Sequence, residues 1–279
     1  MKKENYFQVL ILAVLVGPAS IIAISNAYSA IPSEEFQRIV RKIADIYGPL
    51  IKTKRGIDLE INAKFYQRFP PDSARIQNDG TDLGKAIITI TGQVAVHPTI
   101  TRDAFALLVC HEFGHILGGN PSSYTRVNGR NSVEGQADYW AAAKCLKRFI
   151  SAEISADISA DNFSPVNLQT PSLPLAIINK CNRNFSVSTI NNLLCQKTAM
   201  ATIVLGDYFN ATKNSAAISV VAYDQIAPPV KNTLVGYGST QCRLNTFLSG
   251  AFCNNNFLLD ENCTQGDGIR PDCWYRGDI

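Results

Sequence analysis

Between Pro32 and Tyr47 the apolar residues Phe36, Ile39, Val40, Ile43 and Ile46 recur at intervals of three and four, which places them along one face of a helix. Ser33 stands where a capping hydroxyl is wanted. The pattern then changes. Leu59 to Phe69 and Ala86 to Val96 alternate or run apolar with β-branched residues, and Asn78-Asp79-Gly80 between them marks a turn, so the two stretches predict strands of a small sheet. From Ala104 to Leu117 the chain is apolar almost all round, the pattern of a buried helix. Thr99 or Thr101 can cap its start, and Gly118-Gly119 with Pro121 stops it. Asn120 to Asn131 is polar and predicts a loop; Asn131 or Ser132 then caps an alanine-rich helix from Val133 to about Ile150. Ser151 to Pro174 reads as a loop or lid, and Ile190 to Tyr208 as a helix. Ala227-Pro228-Pro229 breaks the chain, and Gln241 to Phe252 predicts a last helix before a cysteine-bound tail. The fold class these elements predict is α+β: mainly helical, with a small N-terminal sheet and a disulfide-stapled C-terminal region.

The 279 residues with 46% hydrophobic content suit one globular domain. Lys2 and Lys3 precede an apolar run from Phe7 to Val16, and Ser25-Asn26-Ala27 follows, the layout of a secretory signal peptide cleaved after Ala27. That leaves 28–279 as a single domain, cysteine-rich from about 240 onward. Contact with a membrane is expected only if the N-terminal segment is kept, because no later segment approaches the ~20 apolar residues needed to span a bilayer. All eight cysteines lie beyond residue 27, an even count that predicts disulfides and an exported, periplasmic or secreted, protein. No two are spaced by two residues, so a cysteine zinc site is not indicated. Spacing suggests Cys263 with Cys273, Cys242 with Cys253 and Cys181 with Cys195, without deciding the connectivity. The net charge is +3, with Lys and Arg scattered, which gives nucleic-acid binding no support.

Within the buried helix stands His111-Glu112-Phe113-Gly114-His115, whose spacing of four puts both imidazoles on one face, one turn apart. A catalytic zinc wants three protein ligands and a water. Glu134 and Asp138, also four apart, share a face of the next helix. Glu134 is the expected third ligand, and Asp138 the acceptor for the free ring N–H of one histidine. Gly114, Gly135 and Ala137 leave room for the two helices to pack closely. An unpaired carboxylate inside so apolar a run costs several kcal/mol, and a divalent ion makes its position favourable. His97, the third histidine of the chain, reads as a satisfied loop or strand-end residue. Cys110 points about 100° away from His111 around the helix, and a disulfide to Cys145 would clamp the two ligand-bearing helices.

His-Glu-x-x-His followed at a distance by Glu134-Gly135-Gln136-Ala137-Asp138 resembles the gluzincin branch of the zincin metallopeptidases. The metzincin branch would place a histidine where Pro121 stands. Among gluzincins, residues from about 60 to 150 most resemble the CAAX prenyl endopeptidase and bacterial heat-shock membrane peptidase family, in its soluble exported branch. The resemblance implies a zincin-like core, bound zinc, a polypeptide substrate, and a strand, here Ile87-Ile88-Thr89-Ile90, that pairs with it. A later family motif, His-Pro and then Arg, stabilises the oxyanion; here Tyr237-Gly238 and Arg243 stand at that spacing, so the histidine is missing. Arg243 and Tyr237 are the expected stand-ins. The resulting expectation is an exported endopeptidase in which zinc lowers the pKa of its water toward about 7 and Glu112 takes the proton. A zinc-retaining polypeptide-binding or chaperone-like protein is the alternative: the missing histidine favours it, and the presence of Glu112 opposes it.

Overall fold

A computed structural model of the chain describes residues 31–67, 72–77, 84–125, 129–159, 173–212, 221–259 and 262–277. The predicted signal peptide and the predicted Asn78-Asp79-Gly80 turn lie outside the described residues. Helix α1, Ser33–Arg55, buries Phe36, Ile39, Val40, Ile43, Tyr47 and Ile51. It runs past Tyr47 through Pro49, because Ile51 carries the buried stripe one turn further. Ser33 does not cap it; Pro32 is the N-cap and makes no side-chain bond. The helix stops at Gly56, whose φ of 69° is the left-handed conformation that glycine adopts most readily.

Strands β1 (Asp58–Lys64), β2 (Ser73–Gln77) and β3 (Lys85–Thr91) form a sheet in the order β1-β3-β2. β3 lies parallel to β1 and antiparallel to β2. Its Ala86, Ile87, Ile88 and Ile90 are all buried, as a central strand covered on both faces requires. The strands end before Phe69 and Val96 because the chain turns at their ends: the Gly92 amide donates to Lys64 O and Gln67 O. β2 is an unpredicted strand, too short and mixed to show a period.

Helix α2, Arg102–Leu117, is capped by Thr101, whose hydroxyl accepts from the Ala104 amide. The predicted polar loop after it is instead an antiparallel hairpin of β4 (Ser122–Thr125) and β5 (Gly129–Ser132). Helix α3, Glu134–Trp140, continues through a π-helical turn, Ala141–Cys145, into α4, Leu146–Ser159, which takes up the start of the predicted lid. Neither predicted cap serves α3: Asn131 donates to Ala74 O and Ser132 to Gly119 O, so Val133 opens the helix uncapped. Helices α5 (Leu175–Asn184), α6 (Ile190–Thr212) and α7 (Thr240–Phe252) follow; α5 is an addition to the sequence reading.

The main core gathers α1, β3, α2, the π turn and α6 around Phe36, Ile88, Phe105, Phe113, Phe149 and Phe247. A second cluster joins α5, α6 and α7, and a third gathers Val133, Tyr139 and Trp274 with four of the cysteines. Cys110–Cys145 clamps the two helices as expected, and Cys181–Cys195 pairs as its spacing suggests. The other two bridges are Cys242–Cys273 and Cys253–Cys263, which corrects the pairs Cys242–Cys253 and Cys263–Cys273. The reason lies in α7: Cys242 and Cys253 sit at its two ends, separated by about 16 Å of helical rise, and a bridge closes only near the 5.6–5.8 Å Cα separations seen here.

Candidate metal centre

The site begins with a close helix crossing. A Cβ built on Gly114 of α2 would lie 2.7 Å from Ala137 O and 2.9 Å from its Cα, so only glycine lets α3 come this near. Gly135 serves a different contact, with the indole of Trp274, and not the helix pair as its spacing suggested. The crossing swings Glu134 over the histidines: its Oε2 stands 3.2 Å from His111 Nε2 and 3.3 Å from His115 Nε2. The three ligand atoms all lie within 4.8 Å of one another. Tetrahedral zinc with bonds of about 2.0–2.1 Å holds its ligand atoms about 3.4 Å apart, and the two edges from Glu134 to the histidines have nearly that length.

The surrounding groups set the histidine tautomers. His115 Nδ1 lies 2.9 Å from Ser132 O, at the end of β5. A carbonyl only accepts, so Nδ1 carries the proton and Nε2 presents its lone pair to the centre. His111 Nδ1 stands 2.6 Å from Asp138 Oδ1. Asp138 accepts in turn from Arg243 Nε and Nη2, each at 2.8 Å, a two-pronged pair behind the ligand. Meanwhile His111 Nε2, Glu112 Oε2 and Glu134 Oε2 are sealed from solvent without a hydrogen-bond partner. Buried polar atoms are ordinarily satisfied, and a cation at their meeting point would satisfy the two ligand atoms.

Charge points the same way. Burial opposes protonation of His111, but Asp138, then Glu134 and Glu112, outweigh it and raise the imidazole to about 10. Burial pushes the Glu112 carboxyl up, and Asp72 and Glu134 add to the push. Burial also opposes ionisation of Glu134 and Asp138, yet His111 and His115 hold Glu134, and Arg243 and His111 hold Asp138, below the usual carboxylate range. Asp72, Glu112, Glu134 and Asp138 thus face one guanidinium, Arg243, and the centre favours added positive charge.

A cleft of about 310 Å³ opens over these groups. Glu112, His115 and Glu134 form its floor, Asp72 to Ala74 one wall, and Val235 to Tyr237 the other. The second wall is tied to α3 by the Glu134 amide, which donates to Val235 O at 3.3 Å. Tyr237 is 57% exposed, with its ring stacked 6.1 Å from that of His111. Arg243 does not reach the cleft floor; it is spent on Asp138, with its guanidinium 4.4 Å over the Tyr237 ring. His97 lies apart from the ligand group, its Nδ1 against Thr99 Oγ1 at 2.8 Å and its ring edge-on to Tyr208.

Two features escaped the sequence reading. Asp72 enters the cleft because Thr91, at the end of β3, donates to its Oδ1 from both amide and hydroxyl. No spacing links residue 72 to residue 91, so nothing local could reveal it. The substrate-pairing role implied for Ile87 to Ile90 is also corrected: β1 and β2 flank β3 on its two sides, leaving β2 as the strand at the cleft. Comparisons with protein-family models, with curated proteins and with solved structures found no match for this chain.

Proposed function

We propose that this protein is an exported zinc-dependent endopeptidase with a zincin-like core, its metal held by His111, His115 and Glu134. The observation that carries the reading is the meeting of His111, His115 and Glu134 beside Glu112, with Glu134 Oε2 3.2 Å and 3.3 Å from the two Nε2 atoms. Zinc held there supplies Lewis-acid chemistry, polarising a water and the scissile carbonyl. Glu112 is the general base: its carboxylate lines the cleft, takes a proton from the attacking water and returns it to the leaving amine. Ser132 O and the Asp138–Arg243 pair fix the two imidazoles. Arg243 is thus a positioning residue acting through His111, and Tyr237, on the exposed wall, is the group placed to donate to a substrate carbonyl. An extended polypeptide would lie along the Asp72–Ala74 wall, where backbone contacts give affinity with little sequence choice.

Export is supported by four disulfides, and no helix among the described residues is long and apolar enough to cross a membrane. The test pairs metal analysis of the purified chain, with and without chelator, with cleavage of an unfolded protein by wild type and Glu112→Gln. One zinc per chain is expected in both proteins, with turnover in the variant lowered by about 10²–10⁴. A chain that binds no divalent metal would end the metallopeptidase reading; unchanged function in a zinc-loaded Glu112→Gln would assign the polypeptide-binding alternative.

A further inference from the structure

Behind the β4–β5 hairpin, away from the cleft, Arg55 at the end of α1, Arg130 of β5 and Arg270 of the tail converge on a hollow of about 590 Å³. Lys54 also lines it, and among the described residues no carboxylate does. Among the described residues none of the three arginines forms an ion pair. Such crowding of like charge is unfavourable: burial first, and Arg130 second, push the Arg55 guanidinium below its ordinary value.

The usual objection to an anion here would be the carbonyls at the end of α2, where the helix dipole is negative. Four carbonyls there are already engaged. Arg55 donates to Ile116 O through Nε and Nη2, Gln136 donates to Gly118 O, Ser132 to Gly119 O, and Arg270 to Asn120 O. Donors remain for a ligand, since each fork has five: Arg55 uses Nε and Nη2, and Arg270 spends Nη1 on Asn120 O and Gln136 Oε1 and bonds Tyr275. Arg270 is braced with its guanidinium 3.5 Å over the Tyr275 ring, and Arg130 is exposed.

We propose that this groove binds an oxyanion of the phosphate type, either free or as the headgroup of a lipid. Three convergent forks suit a tetrahedral, multiply charged anion better than a single carboxylate, which one arginine would satisfy. The site is independent of the metal reading, because alternate residues of the hairpin serve its two faces: Ser123 and Asn131 line the metal cleft, Ser122 and Arg130 the groove.

The experiment titrates inorganic phosphate into the full chain by calorimetry, and in parallel measures cosedimentation with vesicles of phosphatidylglycerol or phosphatidylcholine. Saturable phosphate binding that weakens with salt is expected, reduced at least tenfold in Arg130→Ala, partly restored in Arg130→Lys and unchanged in Arg41→Ala on another face of α1. Binding only to phosphatidylglycerol vesicles, again lost in Arg130→Ala, would assign the lipid source. The proposal is overturned if neither probe binds, or if binding is indifferent to Arg130→Ala while that variant melts like wild type.

Discussion

Helix α2 is apolar on nearly every side and is seated by packing, with Phe105, Leu107, Cys110 and Phe113 fully buried, whereas the chain after α7 holds one three-residue 3₁₀ turn, Gly266–Gly268, and is seated by cross-links. Cys242–Cys273 and Cys253–Cys263 tie that tail to α7. Tyr139 Oη fastens it to α3, donating to Gly268 O and accepting from the Cys263 amide. Helix α2 reaches the cleft directly, through Glu112 and His115, whereas the tail bears on it only through the segments it braces. The packed helices bring His111, His115 and Glu134 together, the three residues of the proposed metal site, where an error of a few tenths of an ångström matters. The tail braces the segments that carry Tyr237 and Arg243: the Leu234 amide donates to Trp274 O, and Cys273 is bonded to Cys242, next to Arg243. Close packing is the stiffer of the two devices, because interior atoms have almost no free volume to move into.

The sharpest way to break this contrast is Gly114→Val. Side-chain carbons forced against the Ala137 backbone must spread α2 from α3. A loss of about 3 kcal/mol of stability is expected, with zinc content falling in parallel. The matching insult to the tail removes a cross-link. Cys242→Ser with Cys273→Ser opens a 31-residue separation and should lower stability by about 2–4 kcal/mol in chemical denaturation. Zinc should nevertheless stay bound, while turnover falls as Arg243 and Tyr237 loosen. Equal loss of metal in both variants would erase the distinction drawn between the two regions.

A smaller effect tests where they join. Asp138→Asn weakens the hold on His111 and leaves Arg243 without its counter-charge, and metal affinity should drop about 10–100-fold in chelator competition. The gentlest probe is pH. Lys147 of α4 donates to Gly250 O and Cys253 O, where α7 passes into the tail, and burial, then Lys144, push its amine down to about 7. The unfolded amine keeps its proton to about 10.4, so above pH 7 the unfolded state binds more protons and stability rises with pH. From this group the gain should run from about pH 7 to pH 10 in urea midpoints; Lys147→Met should flatten it.

The ligand set was legible because each part of it is local. His111 and His115 share a face through the helical period alone, and so do Glu134 and Asp138. Thr101 caps α2 where the sequence placed a cap, since a threonine before an apolar run satisfies the nearest orphan amide. Asn131 and Ser132 look equally good as caps for α3, yet their side chains are claimed by Ala74 O and Gly119 O, residues far away along the chain. Spacing favours a Cys242–Cys253 bridge, but a helix through residues 242–253 holds the two ends too far apart for one.

By itself the sequence determined the helix faces, the glycine that lets α3 approach, and which side chains share a face, His111 with His115 and Glu134 with Asp138, because side-chain direction in a helix depends only on a residue's own turn. Only the tertiary structure decided that β2 borders the cleft, that Asp72 enters it, that Arg243 supports Asp138, and which cysteines meet. Those outcomes depend on distances between segments tens of residues apart, and packing of the whole chain sets such distances where no local period can.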